Sequence, residues 1–268
     1  MPEAGKRAFW RYQETPRLVS NRWVWGIRRA LLPYLKVRCW VKCIDGAKFF
    51  LGDDRIDDII LGDVLQSHKD QYFPQVINST SAEFLILDVG AHHGIVAAEM
   101  LRHYQGASLI AVEPNPHAVK YLRKNFAANN LLERVEIVAV AVGSEEGMTL
   151  LRHSDEGSWG DTTTGNGIGQ PESKEIMNGV TVPQTSLAKL LRGRHPDLVK
   201  CNAEGAEFTV FPQLFSLGLY PKYVVAMMHP EYGSVEQLVA GFLEAGYELR
   251  LVGGSTHRPT YHGFLRTQ

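Results

Sequence analysis

FLILDVGAHHGIVAAEM, residues 84–100, opens as a continuous apolar run and reaches an acid at Asp88. It then turns through Gly90 and Gly94, with His92 and His93 between them, and resumes with apolar residues at helical spacing. A short apolar run bounded by turn residues suits a strand buried on both faces, and glycine lets the chain turn tightly with its N–H groups facing outward. Strand, glycine turn and helix in that order put the turn at the carboxyl edge of a parallel sheet, where such folds bind nucleotides. The glycines do not follow the dinucleotide pattern G-x-G-x-x-G, and no phosphate-loop Lys-Ser/Thr comes after them.

Outward from this turn the pattern repeats. The next strand ends in AVEPNP, with Glu113 twenty-five residues after Asp88, a position from which a carboxylate can accept both hydroxyl hydrogens of a ribose. Strands are expected at 84–88, 108–112, 134–140, 197–202 and 222–228, and helices at 94–104, 116–129, 185–192, 207–216 and 234–245. A closing pair is expected near 247–252 and 261–266. This alternation predicts an α/β fold with a mostly parallel, doubly wound sheet. A polar stretch, 153–179, interrupts it, and a loop of that length suits a cover over a site; Trp159 is the apolar ring expected to close there.

Residues 1–80 read as an N-terminal extension and 81–268 as the main domain. In the extension, 36–43 and 47–52 form a hairpin turning at Asp45-Gly46, followed by a helix around 56–67. In NRWVWGIRRALLPYL, 21–35, Trp23, Ile27, Ala30 and Leu31 share one helical face, which is expected to pack on the main domain or a second subunit; a peripheral membrane contact and a homodimer are the alternatives. The chain has 268 residues, 44% of them hydrophobic, and a formal net charge of -1. The charge is uneven: Met1 to Lys42 carries ten Lys/Arg against Glu3 and Glu14, and the remainder is near -9. No stretch is apolar enough to span a bilayer and no secretory signal precedes the first strand, so a cytoplasmic protein is expected. Cys39, Cys43 and Cys201 suggest no disulfide framework. His92, His93, His257 and His262 are too scattered along the sequence to argue a metal site.

DVGAHHG (88–94), VEPNP (112–116), AVGSEEG (141–147) and VKCNAEGAEFTVF (199–211) together resemble the successive motifs of the FkbM-type S-adenosylmethionine-dependent methyltransferases, over roughly residues 80–250. The resemblance implies a Rossmann-like class I methyltransferase fold. It also implies S-adenosylmethionine as cofactor and, most often, O-methylation of a saccharide or small natural product. By the same resemblance Asp88, Gly90, Ala91, His92 and Gly94 would hold the methionine half of the cofactor, Glu113 and Pro114 the ribose, and the segment around Ala139 to Val142, with Ala141 in it, would lie by the adenine. Asn202 would close the cofactor side. The chain departs from the family in having Asn202 where Asp is usual and Met227 where many members have Glu.

His229, after the strand YVVAMM, is the candidate general base, because an imidazole of ordinary pKa can take a hydroxyl proton. Glu204 is expected to position the acceptor, with Glu207 and Glu231 as further substrate contacts. A metal site is not expected. The alternatives are N- or carboxyl methylation, or a cofactor-binding protein that has lost transfer. A nucleic-acid substrate is disfavoured because the basic segment lies away from the predicted site.

Overall fold

The computed structural model describes residues 17–32, 34–53, 56–65, 72–74, 83–153, 160–163, 179–255 and 257–266. Its centre is a seven-stranded sheet. The first strand of that sheet in chain order, β3 (Leu85–Val89), is flanked on one side by β4 (Ser108–Val112) and β5 (Val135–Val138), and on the other by β9 (Leu198–Cys201) and β10 (Tyr223–Met227), all parallel. Beyond β10 lies β12 (Arg258–Leu265), antiparallel to it and to the edge strand β11 (Tyr247–Ser255). Ile86 and Leu87 point to opposite faces of β3 and are both fully buried. The apolar runs 85–87 of β3 and 109–112 of β4 follow from helices covering both sides of the sheet.

One face carries α3 (Ile95–His103) and α4 (Pro116–Ala128), and the other α5 (Leu187–Leu191), α6 (Glu207–Ser216) and α7 (Val235–Glu244). Local chemistry starts these helices where it should. Asn115 of VEPNP caps α4 by accepting from the N–H groups of His117 and Ala118, and Pro116 takes the first helical position, where no N–H is needed.

Two features differ from the sequence expectation. A second, three-stranded sheet of β6 (Ala141–Val142), β7 (Gly147–Arg152) and β8 (Gly179–Thr185) sits at the mouth of the domain. Largely solvated β7 lacks the apolar alternation that marks a strand in sequence, and in β8 the alternation of Val180 and Val182 is cut short at Pro183. The polar stretch 153–179 leaves from β7 and returns to β8; Trp159 lies outside the described residues.

The extension shares the core of the α3/α4 face through Trp25, Phe49, Leu51 and Leu61. Its hairpin is β1 (Cys39–Lys42) and β2 (Lys48–Leu51), turning at Gly46, and its helices are α1 (Arg22–Leu31) and α2 (Ile56–Leu65). Asn125 of α4 accepts from the N–H of Phe50 at 2.6 Å and donates to the carbonyl of His93 at 2.8 Å, tying the hairpin to the glycine turn. Helix α1 is oriented the other way round from the expectation. Trp25 and Arg28 face inward, held by Asp58, which accepts from the Trp25 indole at 2.7 Å and pairs with Arg28 at 3.1 Å. Trp23, Ile27 and Leu31 face out. No described helix is long and apolar enough to cross a membrane.

Candidate active site

The carboxyl ends of β3, β4 and β9 open onto a cleft lined by Gly90, His92, Glu113, Pro114, Ala141, Asp161, Thr163, Asn202, Ala203 and Glu204, among others. Gly90 and Gly94 both have left-handed backbone, at φ 79° and 76°. A Cβ on Gly90 would lie 2.1 Å from the Asn202 carbonyl oxygen, so the turn packs against the end of β9 only because that position is glycine. His92 follows at φ 48°, an unusual backbone for a non-glycine residue, which its N–H secures by donating to Glu113 Oε2 at 2.8 Å.

Glu113 is buried at the edge of this cleft. Oε1 accepts from the N–H of Asn115 at 2.8 Å and Oε2 from that of His92. Burial pushes its carboxyl up to about 7, against the lowering effect of those two donors. Each oxygen uses one lone pair on the backbone and keeps another for a hydroxyl hydrogen.

Asp88 does not face the cleft. It is fully buried beside Lys200, its cross-strand neighbour in register, with Lys200 Nζ 2.7 Å from Asp88 Oδ1 and 2.9 Å from the carbonyl oxygen of Gly90. Lys200 therefore grips the glycine turn from below, and Asp88 balances its charge. Ala91, buried, and Gly94, the cap of α3, shape the turn from behind. Of the residues assigned to the cofactor, Gly90, His92, Glu113, Pro114, Ala141 and Asn202 line the cleft, whereas Asp88, Ala91 and Gly94 support it.

Beneath Asn202 and Ala203 lies an ionic chain. Glu207 Oε1 accepts from the backbone N–H of His229 at 2.7 Å and stands 2.9 Å from its Nδ1; His229 Nε2 is 3.2 Å from Glu204 Oε1. Arg258 extends the chain, reaching Glu204 Oε1 at 3.1 Å and Glu231 Oε1 at 2.9 Å. This geometry corrects two assignments. His229 is 0% exposed and clasped by two carboxylates, so it is not a free imidazole base. Glu207 is equally buried and holds His229, so its carboxylate is not turned toward an acceptor, while the partly exposed Glu231 pairs with Arg258. Glu204 does line the cleft, on a strained turn at φ 36° whose carbonyl accepts from the Thr162 hydroxyl at 2.7 Å.

Two further contacts had no signal in local sequence. Asp161, from the described part of the polar stretch, accepts from Asn115 Nδ2 at 2.7 Å and lies 3.0 Å from His153 Nδ1. His93 Nδ1 is 2.7 Å from Asp57 Oδ1 on α2, and Asp57 also accepts from the N–H of Gly52. The donor atoms of Asp57, His92 and His93 come within 4.8 Å of one another, a grouping that spacing along the chain could not show. The two imidazoles stack with centroids 3.8 Å apart and planes at 18°. Their in-plane lone pairs then run side by side rather than toward one ion, which suits a hydrogen-bonded lock of the extension onto the glycine turn better than a metal centre.

A family profile described as Methyltransferase FkbM domain matches residues 88–249, the span from Asp88 through the first residues of β11. The chain belongs to the FkbM methyltransferase family. No curated protein matches it significantly. Similar solved structures include the precorrin-6y C5,15-methyltransferase of Geobacter metallireducens GS-15, at 14% identity, covering 69% of this chain and 81% of that one with a TM-score of 0.40. Another is M. capricolum TrmK in complex with S-adenosyl-homocysteine, at 11% identity over 74% of this chain and 68% of that one, with a TM-score of 0.45. The C-terminal domain of the Rhodobacter capsulatus precorrin-6Y C5,15-methyltransferase aligns at 16% identity over 70% of this chain and 84% of that one, with a TM-score of 0.41.

The protein is thus an S-adenosylmethionine-dependent methyltransferase with the class I fold. The cleft fits the cofactor: a buried carboxylate with two open lone pairs at Glu113 suits the ribose, and the apolar wall of Ala141 and Val142 suits the adenine. When bound, the cofactor supplies an electrophilic methyl group on a sulfonium. His92, pushed down to about 3 mainly by burial, is neutral at physiological pH.

The state of His229 in the methyltransferase has a measurable consequence. Burial pulls its imidazole down, but hydrogen bonds and charge from Glu204 and Glu207 overcome this and raise it to about 9. A folded pKa above the unfolded value of about 6.5 gives stability that is complete below about pH 6.5 and is lost as pH rises through about 9. Chemical denaturation followed from about pH 6 to about pH 10 is expected to show unfolding free energy falling by roughly 3 kcal/mol. In His229→Gln that portion of the profile should flatten; an unchanged slope in the variant would assign it to another group.

Proposed function

We propose that the enzyme methylates a hydroxyl group of a neutral, polyhydroxylated acceptor such as a saccharide or small natural product. The observation that carries this reading is the composition of the cleft wall. Beyond Glu113 and Asn202, which belong to the cofactor side, its described lining residues include the carboxylates of Asp161 and Glu204 with Thr163, and no Lys or Arg. Carboxylates accept hydroxyl hydrogens well and repel phosphates, so such a wall favours a polyol over a nucleic acid or other anion.

The chemistry asked of the side chains is modest. With an activated methyl donor in place, much of the rate comes from holding acceptor oxygen, methyl carbon and sulfur in line for one displacement with inversion. Transfer of a methyl group to a hydroxyl would require that its proton leave. Neither histidine at the site suits that proton: His92 is too weak a base and His229 is already protonated at neutral pH. Glu204 lines the cleft and is held in place by His229 and Arg258, so the proton passes to its carboxylate. His229 is then a positioning residue.

Labelled methyl transfer to a panel of saccharides and hydroxylated natural products, with product mass spectrometry, tests this reading. Turnover on an oxygen acceptor is expected, and Glu204→Gln should lower kcat by about 10²-fold or more while leaving S-adenosylhomocysteine affinity unchanged. Methylation at nitrogen or carboxyl oxygen would replace the hydroxyl assignment. Tight cofactor binding with no acceptor-dependent turnover across the panel would favour a protein that no longer transfers methyl groups, a reading that Asn202 and Met227 in place of the family's usual acids support.

A further inference from the structure

We infer that α1 and the turn after it form a docking surface for an anionic lipid bilayer. The outward face of this segment is apolar and uncovered: Trp23 is 78% exposed, Ile27 58%, Tyr34 82% and Leu35 60%, with Val24 and Leu31 between them. Trp23, Ile27, Leu31 and Leu35 follow one another at four-residue spacing. The helical turn continues to the last of them, because the N–H of Leu35 donates to the Leu31 carbonyl at 2.9 Å. They form a single ridge with Val24 and Tyr34 beside it. The inward face of the same helix is fixed by Trp25 and Arg28 on Asp58, so the ridge cannot turn in to bury itself without breaking a buried ion pair.

Charge selects the occupant. Residues 17–42 contain seven Lys/Arg and no Asp or Glu, in a chain whose residues beyond 42 are near -9. Arg17, Arg22, Lys36 and Lys42 are exposed around the ridge. Apolar side chains flanked by cations, with Trp and Tyr in the ridge, are the composition of a helix lying at the headgroup level of an anionic membrane, with its apolar side sunk about 5–10 Å. A symmetric dimer through this face would set two such basic segments against each other, and the few side chains of the ridge fall well short of the roughly 20–30 residues a side of a standard protein interface.

The docked face is connected to the cofactor cleft. Arg28 donates to the Gly52 carbonyl, the Gly52 N–H donates to Asp57, and Asp57 holds His93 next to the cleft residue His92.

Vesicle flotation of the full chain provides the test, with phosphatidylcholine alone and with about a third phosphatidylglycerol at low and high salt. The parent protein should float with the anionic vesicles only, and less at high salt. Trp23→Glu/Ile27→Glu should lose at least about tenfold in partitioning while keeping its S-adenosylhomocysteine affinity and circular dichroism, since both positions are exposed. Absence of flotation with anionic vesicles, equal flotation of parent and variant, or a concentration-dependent dimer in sedimentation that the variant abolishes would each overturn the assignment.

Discussion

Lys200→Met should lower the unfolding free energy by about 3–5 kcal/mol, the largest stability effect expected of any single change near the cleft. Lys200 is 3% exposed and Asp88 0%, so removing the ammonium leaves a carboxylate buried between β4 and β9 with its cation gone. The Gly90 carbonyl loses its donor in the same step. A second substitution separates this cause from simple misfit. Asp88→Asn placed on Lys200→Met removes the stranded charge, and the pair should recover a substantial part of the loss even though it contains one more mutation. Denaturant titrations of the parent, both single variants and the double variant measure the coupling. If the double variant is less stable than Lys200→Met by the full cost of Asp88→Asn alone, the two side chains do not act as a pair, and the turn is held by its backbone hydrogen bonds instead.

That pair marks where sequence reading stops. The parallel sheet, its strand bounds and the helix starts are legible because they rest on local pattern: apolar runs, Asn115-Pro116 as a cap, and glycines where φ is positive. The cofactor cleft is legible for a related reason, since Gly90 and Glu113 stand at the ends of two strands that the pattern itself places side by side. Lys200 reads as an anomaly in an apolar strand, and only the register against β3 sets it opposite Asp88.

The same limit explains His229. A histidine after an apolar strand is visible in the sequence, but its two carboxylate partners come from the turn after β9 and from the start of α6, and their approach reverses its charge state. Arg258 and Asp57 arrive from segments far apart in the chain. For α1 the periodicity shows that an apolar stripe exists, while its direction is decided by Trp25 and Arg28 reaching Asp58, a contact that no helical wheel contains.

The largest functional effect is expected at Glu113, in cofactor binding. Its two oxygens already accept from the N–H groups of Asn115 and His92, and a ribose would add a hydroxyl hydrogen to each. Hydrogen bonds to a charged acceptor contribute about 1.5–3 kcal/mol each, so the loss of two in Glu113→Ala should weaken S-adenosylhomocysteine by about a hundredfold or more. Because the substitution also leaves two backbone donors without their acceptor, Glu113→Gln is the companion variant: it keeps the shape and an acceptor oxygen, and should still bind more weakly than the parent. The pH dependence separates a ribose contact from a structural role. With the carboxyl at about 7 in the cofactor-free protein, binding that needs the ionised form must drive off a proton below that pH. Parental affinity should therefore fall by up to about tenfold per pH unit from about pH 7 toward about pH 5.5 and level off above about pH 8. In Glu113→Gln the titrating group is gone, and affinity should be nearly flat over that range. Calorimetric titration in buffers of different ionisation enthalpy reads both the affinity and the proton released. If the parent and Glu113→Gln bind equally well and show the same pH profile, the carboxylate serves only to shape the backbone of the glycine turn, and the ribose must be held by other groups of the cleft.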